Sequence, residues 1–278
     1  MIGTASQRGF TIVETMVVLA VTGALFLAAV VLVAGQQNKV AFQQAINDEQ
    51  SVIQQTISEV STGYYNNTGG FACDGTSGTV KLTNGSAGQG SNTGCILLGK
   101  AIEFGVQGTD PQQYAVFPIA GLQDNGGKLD QSDPQAVAPG VVHNTGLAGA
   151  ITTGSLHNGL KAVSMQYNNG GGWQNIGAVA FLTGLGSYDS STSELLSGAQ
   201  QVSLVPVVGS DPSGNLQTGS KATADAIYNN LASSPVNPSG GVQICFASGG
   251  TNKSGLITIG SNGRALSVTL QIKDGKKC

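Results

Sequence analysis

Charge is scarce in this chain. Asp, Glu, Lys and Arg together make up 10% of its 278 residues, and the formal net charge is −3. Aromatic residues amount to 5%, and only two histidines are present, His143 and His157. So little charge argues against strong attraction of the whole chain to polyanions or membrane surfaces. The two histidines sit in Gly- and Asn-rich sequence with no cysteine nearby, which favours a loop role over metal ligation. No GxSxG elbow, HExxH pair, Walker loop or dinucleotide fingerprint occurs, so no enzyme motif is present and the expectation is a non-enzymatic protein. No two of the four cysteines form a CxxC pair, which suits disulfides better than zinc. Lys and Arg are missing from Phe10 to Asn38, and Pro is missing from the same stretch.

Against this low charge stand 42 glycines and a hydrophobic share of 40%, a composition that fits a loop-rich, β-rich exported domain. From Phe10 to Gly35 the one ionisable side chain is Glu14. The apolar remainder is about 20 residues long, enough to cross a hydrocarbon core as a helix. A carboxylate inside such a segment costs on the order of 2.5 to 3.5 kcal/mol on insertion scales, so it calls for a partner. With no cation in the segment, the nearest available one is the α-amino group that cleavage after Gly9 would create, on this subunit or a neighbour. The leader, residues 1–9, has no apolar core of its own and so differs from an ordinary secretory signal.

Arg8-Gly9-Phe10-Thr11-Ile12-Val13-Glu14 resembles the prepilin cleavage and methylation motif of type IV pilins and type II secretion pseudopilins. The resemblance implies cleavage by a prepilin peptidase between Gly9 and Phe10, N-methylation of Phe10, and pairing of Glu14 with a neighbouring subunit's Phe10 amine during assembly. It further implies a subunit held in the cytoplasmic membrane by a single pass. A pilus assembly platform would then move it into an extracellular filament of like subunits, serving adhesion, motility, DNA uptake or secretion. The helix-breaking Pro that many members carry in the apolar run is absent here.

Phe42, Ile46, Ile53, Ile57 and Val60 continue beyond the apolar run at helical spacing with polar residues between them, an amphipathic stripe. One helix from Thr11 to about Ser61 would be about 75 Å long, ending at Gly63 and the 66–70 Asn/Gly cluster. The expected divisions are a leader over 1–9, a membrane segment over 10–35, an amphipathic continuation over 36–62 and a β-rich head over 63–278. The fold class is therefore α+β, a long helix packed on a mainly antiparallel head.

Strands are expected over 80–83, 96–106, 114–119, 162–167, 176–182, 202–208, 242–247, 256–259 and 265–272. The last two flank Gly260-Ser261-Asn262-Gly263, a β-hairpin signal. A short helix is expected over 223–231, with Ser220 as a cap. The cysteines allow three connectivities, and sequence proximity favours Cys73 with Cys95 and Cys245 with Cys278. A disulfide-closed C-terminal loop is also a common pilin device, so the resemblance supports the second pairing.

The glycine-rich loop after Cys245, Leu256–Gly260, Asn262-Gly263-Arg264 and a final strand is similar to GspH/FimT-type minor pilins and pseudopilins. Relative to a compact pilin head, 108–160 and 184–239 look inserted. Asp124, Asp130 and Asp133 gather oxygen ligands in a loop that could hold calcium, although Lys128 and the spacing depart from an EF-hand. No cofactor is otherwise expected. Lys253, Arg264, Lys273, Lys276 and Lys277 face only Asp274 at the C-terminus, a basic patch on an acidic body. Such a patch could contact DNA phosphates, and some FimT-type pilins are DNA receptors. A filament-displayed adhesin or DNA receptor is thus the alternative to a purely structural subunit.

Overall fold

The computed structural model describes residues 11–64, 71–74, 81–84, 95–105, 111–122, 140–141, 152–183, 202–207, 238–261, 266–275 and 278. Its first element is α1 (Ile12–Thr62), a single helix of 51 residues that joins the apolar run to the amphipathic stripe. Thr11 caps its start in extended backbone, its hydroxyl accepting a bond from the Glu14 amide at 3.3 Å. Gly63 ends it in the left-handed region at φ 66°. The Gly63 amide bonds to Val60 O at 3.1 Å and the Tyr64 amide to Glu59 O at 2.8 Å, the paired bonds of a Schellman motif.

The second half of α1 docks because one face repeats every three or four residues. Phe42, Ala45, Ile46, Ile53 and Val60 are all buried in the core. They meet two antiparallel sheets. The first contains β3 (Cys95–Phe104), β4 (Gln113–Leu122), β5 (Gly140–Val141), β6 (Thr152–Ser155), β9 (Ala178–Thr183) and β10 (Val202–Val207), in the order β10-β9-β3-β4, with β5 and β6 both pairing β4. The second contains β7 (Leu160–Asn168), β8 (Trp173–Asn175), β11 (Val242–Ser248), β12 (Lys253–Ser261) and β13 (Leu266–Asp274), in the order β13-β12-β11-β7-β8. A separate ribbon pairs β1 (Phe71–Asp74) with β2 (Lys81–Asn84).

Ile102, Phe104, Val179, Phe181 and Leu204 enter the core from the first sheet, and Ile244, Phe246, Ile257 and Ile259 from the second. Phe104 and Phe246 meet edge to face across the two sheets at 5.2 Å. Each such side chain contributes about 1.5 to 3 kcal/mol by leaving water. The opposite face of the first sheet is buried as well, through Ala101, Phe117, Ile119, Leu182 and Val205. That is why β9 and β10 read as nearly continuous apolar runs, broken in β10 by the buried Ser203, rather than as alternating ones.

Close approach and polar ties fix the helix on the head. A Cβ at Gly255 would collide with Ile46 Cδ1 and touch Phe42 Cζ at 3.6 Å, so glycine lets α1 lie directly on β12. Lys100 pairs with Glu59 of α1, Gln50 Nε2 donates to Val268 O at 3.2 Å, and Asn158 Nδ2 donates to Ala41 O at 3.1 Å.

The expected helix is found almost residue for residue, and so are the strand cores. The run expected over 176–182 begins only at Ala178, because the Ile176 amide turns back to Met165 O at 3.0 Å. β1, β5, β6 and β8 had no expected counterpart. β12 and β13 pair from Lys253↔Asp274 to Ser261↔Leu266, as the hairpin expectation requires, although its turn at 262–265 lies outside the described residues. The helix expected over 223–231 also lies outside them.

Candidate functional site

From Ile12 to Val33 α1 is exposed along its whole length, with large apolar side chains such as Leu19, Phe26, Leu27 and Val31 facing outward. Length and composition make this helix a candidate membrane span. Its few polar side chains are compatible with lipid: Thr15 Oγ1 donates to Ile12 O at 2.8 Å and Thr22 Oγ1 to Val18 O at 2.8 Å.

Glu14 stands at the third helical position, where a carboxylate is favoured by the helix dipole. Thr11 and Glu14 have the spacing of a capping box. Only its first half is made, the bond from the Glu14 amide to the Thr11 hydroxyl. Among the described residues the Glu14 carboxylate makes no hydrogen bond and no ion pair. Lys39, the next cation along the helix, stands about 37 Å away at 1.5 Å per residue. Gly9 and Phe10 lie outside the described residues.

Among the described residues, the other expected site residues do not gather near Glu14. Cys245 on β11 is bonded to Cys278, with Cα atoms 5.8 Å apart. Cys73 and Cys95 fall on β1 and β3, but their side chains lie outside the described residues, so their pairing does too. Lys253 pairs with Asp274 at 3.2 Å, and Lys273 Nζ donates to the Cys278 carbonyl at 3.1 Å. Arg264, Lys276 and Lys277 are outside the described residues, as are Asp124, Asp130 and Asp133.

Set against known proteins, the family model for the prokaryotic N-terminal methylation motif matches residues 4–30. This chain carries the prepilin signature of type IV pilins and pseudopilins. No curated protein and no solved structure matches the chain. The prepilin signature thus brackets Gly9, Phe10 and Glu14 together with the exposed helix as far as Val30. It supports a pilin- or pseudopilin-like structural subunit, anchored in a membrane by α1, processed by a prepilin peptidase and assembled with other such subunits.

Behind the prepilin segment, sequence reasoning missed two buried acids. Glu49 lies on the buried stripe of α1, in the seven-residue gap between Ile46 and Ile53, and is 4% exposed. That gap was the available signal, because helical spacing puts position 49 on the same face. Burial, and secondarily Asp48, push its carboxyl up to about 7. Tyr114, which packs against the core from β4, is pushed up by burial and then by Glu49. Burial pushes Glu103 on β3 up to about 8.

Both carboxyls hold protons more tightly in the folded chain than in the unfolded one. Their contribution to stability is therefore fully present below about pH 4.5 and is lost as pH rises through 7 and 8. Glu49→Gln is expected to match the wild type at pH 5. At pH 8 it should be more stable by on the order of 2 to 3 kcal/mol, at about 1.4 kcal/mol per unit of pKa. Chemical denaturation of both proteins across pH 5 to 8 checks this, and parallel pH profiles would contradict the burial of Glu49.

Proposed function

We propose that this chain is a structural subunit, a minor pilin or pseudopilin, of a type IV pilus or type II secretion-like filament. In this reading a prepilin peptidase cuts between Gly9 and Phe10 and the new Phe10 amine is methylated. α1 holds the subunit in the cytoplasmic membrane until the assembly platform moves it into the filament, with the β-rich head outward. The role is structural and not catalytic. The observation that carries this is Glu14, a carboxylate on the exposed apolar helix, inside the prepilin signature, without an internal counter-charge among the described residues. A carboxylate so placed gains most from a cation supplied by another subunit, and the cleaved N-terminus supplies one at the right end of the helix.

N-terminal mass spectrometry of the full chain recovered from membranes and from sheared filaments tests the proposal. The expected mature terminus is methylated Phe10. An intact Met1, or a cut beyond Gly35 that discards the apolar run, would overturn it.

A further inference from the structure

The outer face of the five-stranded sheet bears an unusual row. Side chains directly opposite one another across an antiparallel sheet share a face. Val242 and Ile244 point into the core, so Gln243 between them points outward. From Gln243 the register runs to Gln166 on β7 and Asn175 on β8 in one direction, and to Thr258 on β12 and Thr269 on β13 in the other. Asn175, Gln166, Gln243, Thr258 and Thr269 thus form one line across all five strands, about 19 Å long at 4.7 to 4.9 Å per strand.

The line is neutral, and so are its neighbours. The row on one side carries Trp173, Asn168 and Ser267, and the row on the other carries Ser164, Cys245, Leu256 and Gln271, with Cys278 bonded to Cys245 at its middle. Among the described residues none of the three rows contains a charged side chain. Trp173, the one tryptophan of the chain, lies at the end of its row and is 42% exposed. The hairpin presenting it is held in shape: Asn168 Oδ1 accepts from the amides of Gly170 at 2.8 Å and Gly172 at 3.3 Å. Gln166 Nε2 donates to Asn175 Oδ1 at 2.8 Å, which leaves the Gln166 carbonyl oxygen and the Asn175 amide protons without a side-chain partner among the described residues.

From this arrangement we infer that the outer face of the second sheet binds a neutral polysaccharide, with Trp173 under a sugar ring and the amide–hydroxyl row along the chain. Amides and hydroxyls both donate and accept, which matches the mixed hydroxyls of a sugar polymer. A polyanion would call for cations along the row, and a basic ligand for carboxylates; the row has neither. An exposed indole on a fixed hairpin offers a flat apolar surface to the C–H face of a sugar at little entropic cost. The inference concerns the head alone and stands whether or not the filament reading holds.

Trp173 reports directly on its own site. The full chain in zwitterionic detergent micelles would be titrated with dextran, laminarin and galactomannan while indole emission is followed. Retardation in native gels containing the same polymers gives a second measure. The expected result is a saturable emission change with at least one of the three. Binding to that polymer in the gel should fall at least tenfold for Trp173→Ala and for the double variant Gln166→Ala/Gln243→Ala, each with unchanged circular dichroism. Three outcomes would overturn the inference: no saturable response to any of the three, retardation by dextran sulfate alone, or emission changes that follow self-association of the chain in light scattering.

Discussion

Glu14→Ala is expected to leave membrane insertion and cleavage after Gly9 intact while removing the subunit from filaments. Insertion should if anything improve, since the substitution relieves on the order of 2.5 to 3.5 kcal/mol of transfer cost. The helix start should survive, because the bond at Thr11 comes from the backbone amide of residue 14 and not from its side chain. What is lost is the counter-charge to a neighbour's N-terminus. Removing one partner of a desolvated ion pair costs about 3 to 5 kcal/mol, or a factor of about a hundred or more in the constant for adding a subunit. Glu14→Gln separates charge from hydrogen bonding: if charge is the cause, it should fail like alanine. Comparing the sheared and membrane fractions by immunoblot, with mass spectrometry of the N-terminus, measures each step. Wild-type amounts of either variant in the sheared fraction would sink the electrostatic account.

Cys278→Ser is expected to produce the largest loss of head stability. The bridge to Cys245 closes a loop with a sequence separation of 33, worth about 4 kcal/mol on the chain-entropy estimate. The same bridge brings the chain end beside β12, where Cys278 Sγ lies 3.5 Å from Gly255 O, the residue on whose other side α1 docks. For a domain of this size each kcal/mol moves the melting temperature by about 2 to 4 °C, so a fall of about 8 to 15 °C is expected. The variant removes this bridge alone, which makes it a cleaner probe than a general reductant. An unchanged melting temperature would show that the C-terminal segment is held by its strand pairing alone.

Where the polypeptide obeys one dominant period, its structure could be read in advance. α1 was legible from end to end because two different patterns, an unbroken apolar run and a three-four stripe, fall in phase on one helix, with Thr11 and Gly63 as punctuation. The β12–β13 hairpin was legible from its turn residues. β8 was not, because Trp173, Gln174 and Asn175 are all exposed and pair on one side only, so burial imposes no pattern on them. The order of strands was equally hidden. The chain leaves the first sheet after β6, builds β7 and β8 into the second, and returns to the first at β9. Such crossings depend on contacts distant in sequence, to which local periodicity is blind. At the candidate site the position of Glu14 was plain from its isolation, whereas Glu49 was concealed by being the one acid on a face otherwise defined by apolar spacing.

The continuity of α1 has a mechanical corollary. No proline and no break in the hydrogen-bonded ladder separates Ile12 from Thr62, so the same rod that is exposed over its first half lays one face of its second half into the core. A pull along the N-terminal half travels down the backbone and arrives as shear at Phe42, Ile46, Ile53 and Val60. Those side chains, the Lys100–Glu59 pair and the Asn158 and Gln50 bonds lie along the direction of load and must yield together instead of peeling one by one. A head mounted this way has no swivel between itself and its rod, and tension on one is tension on the other.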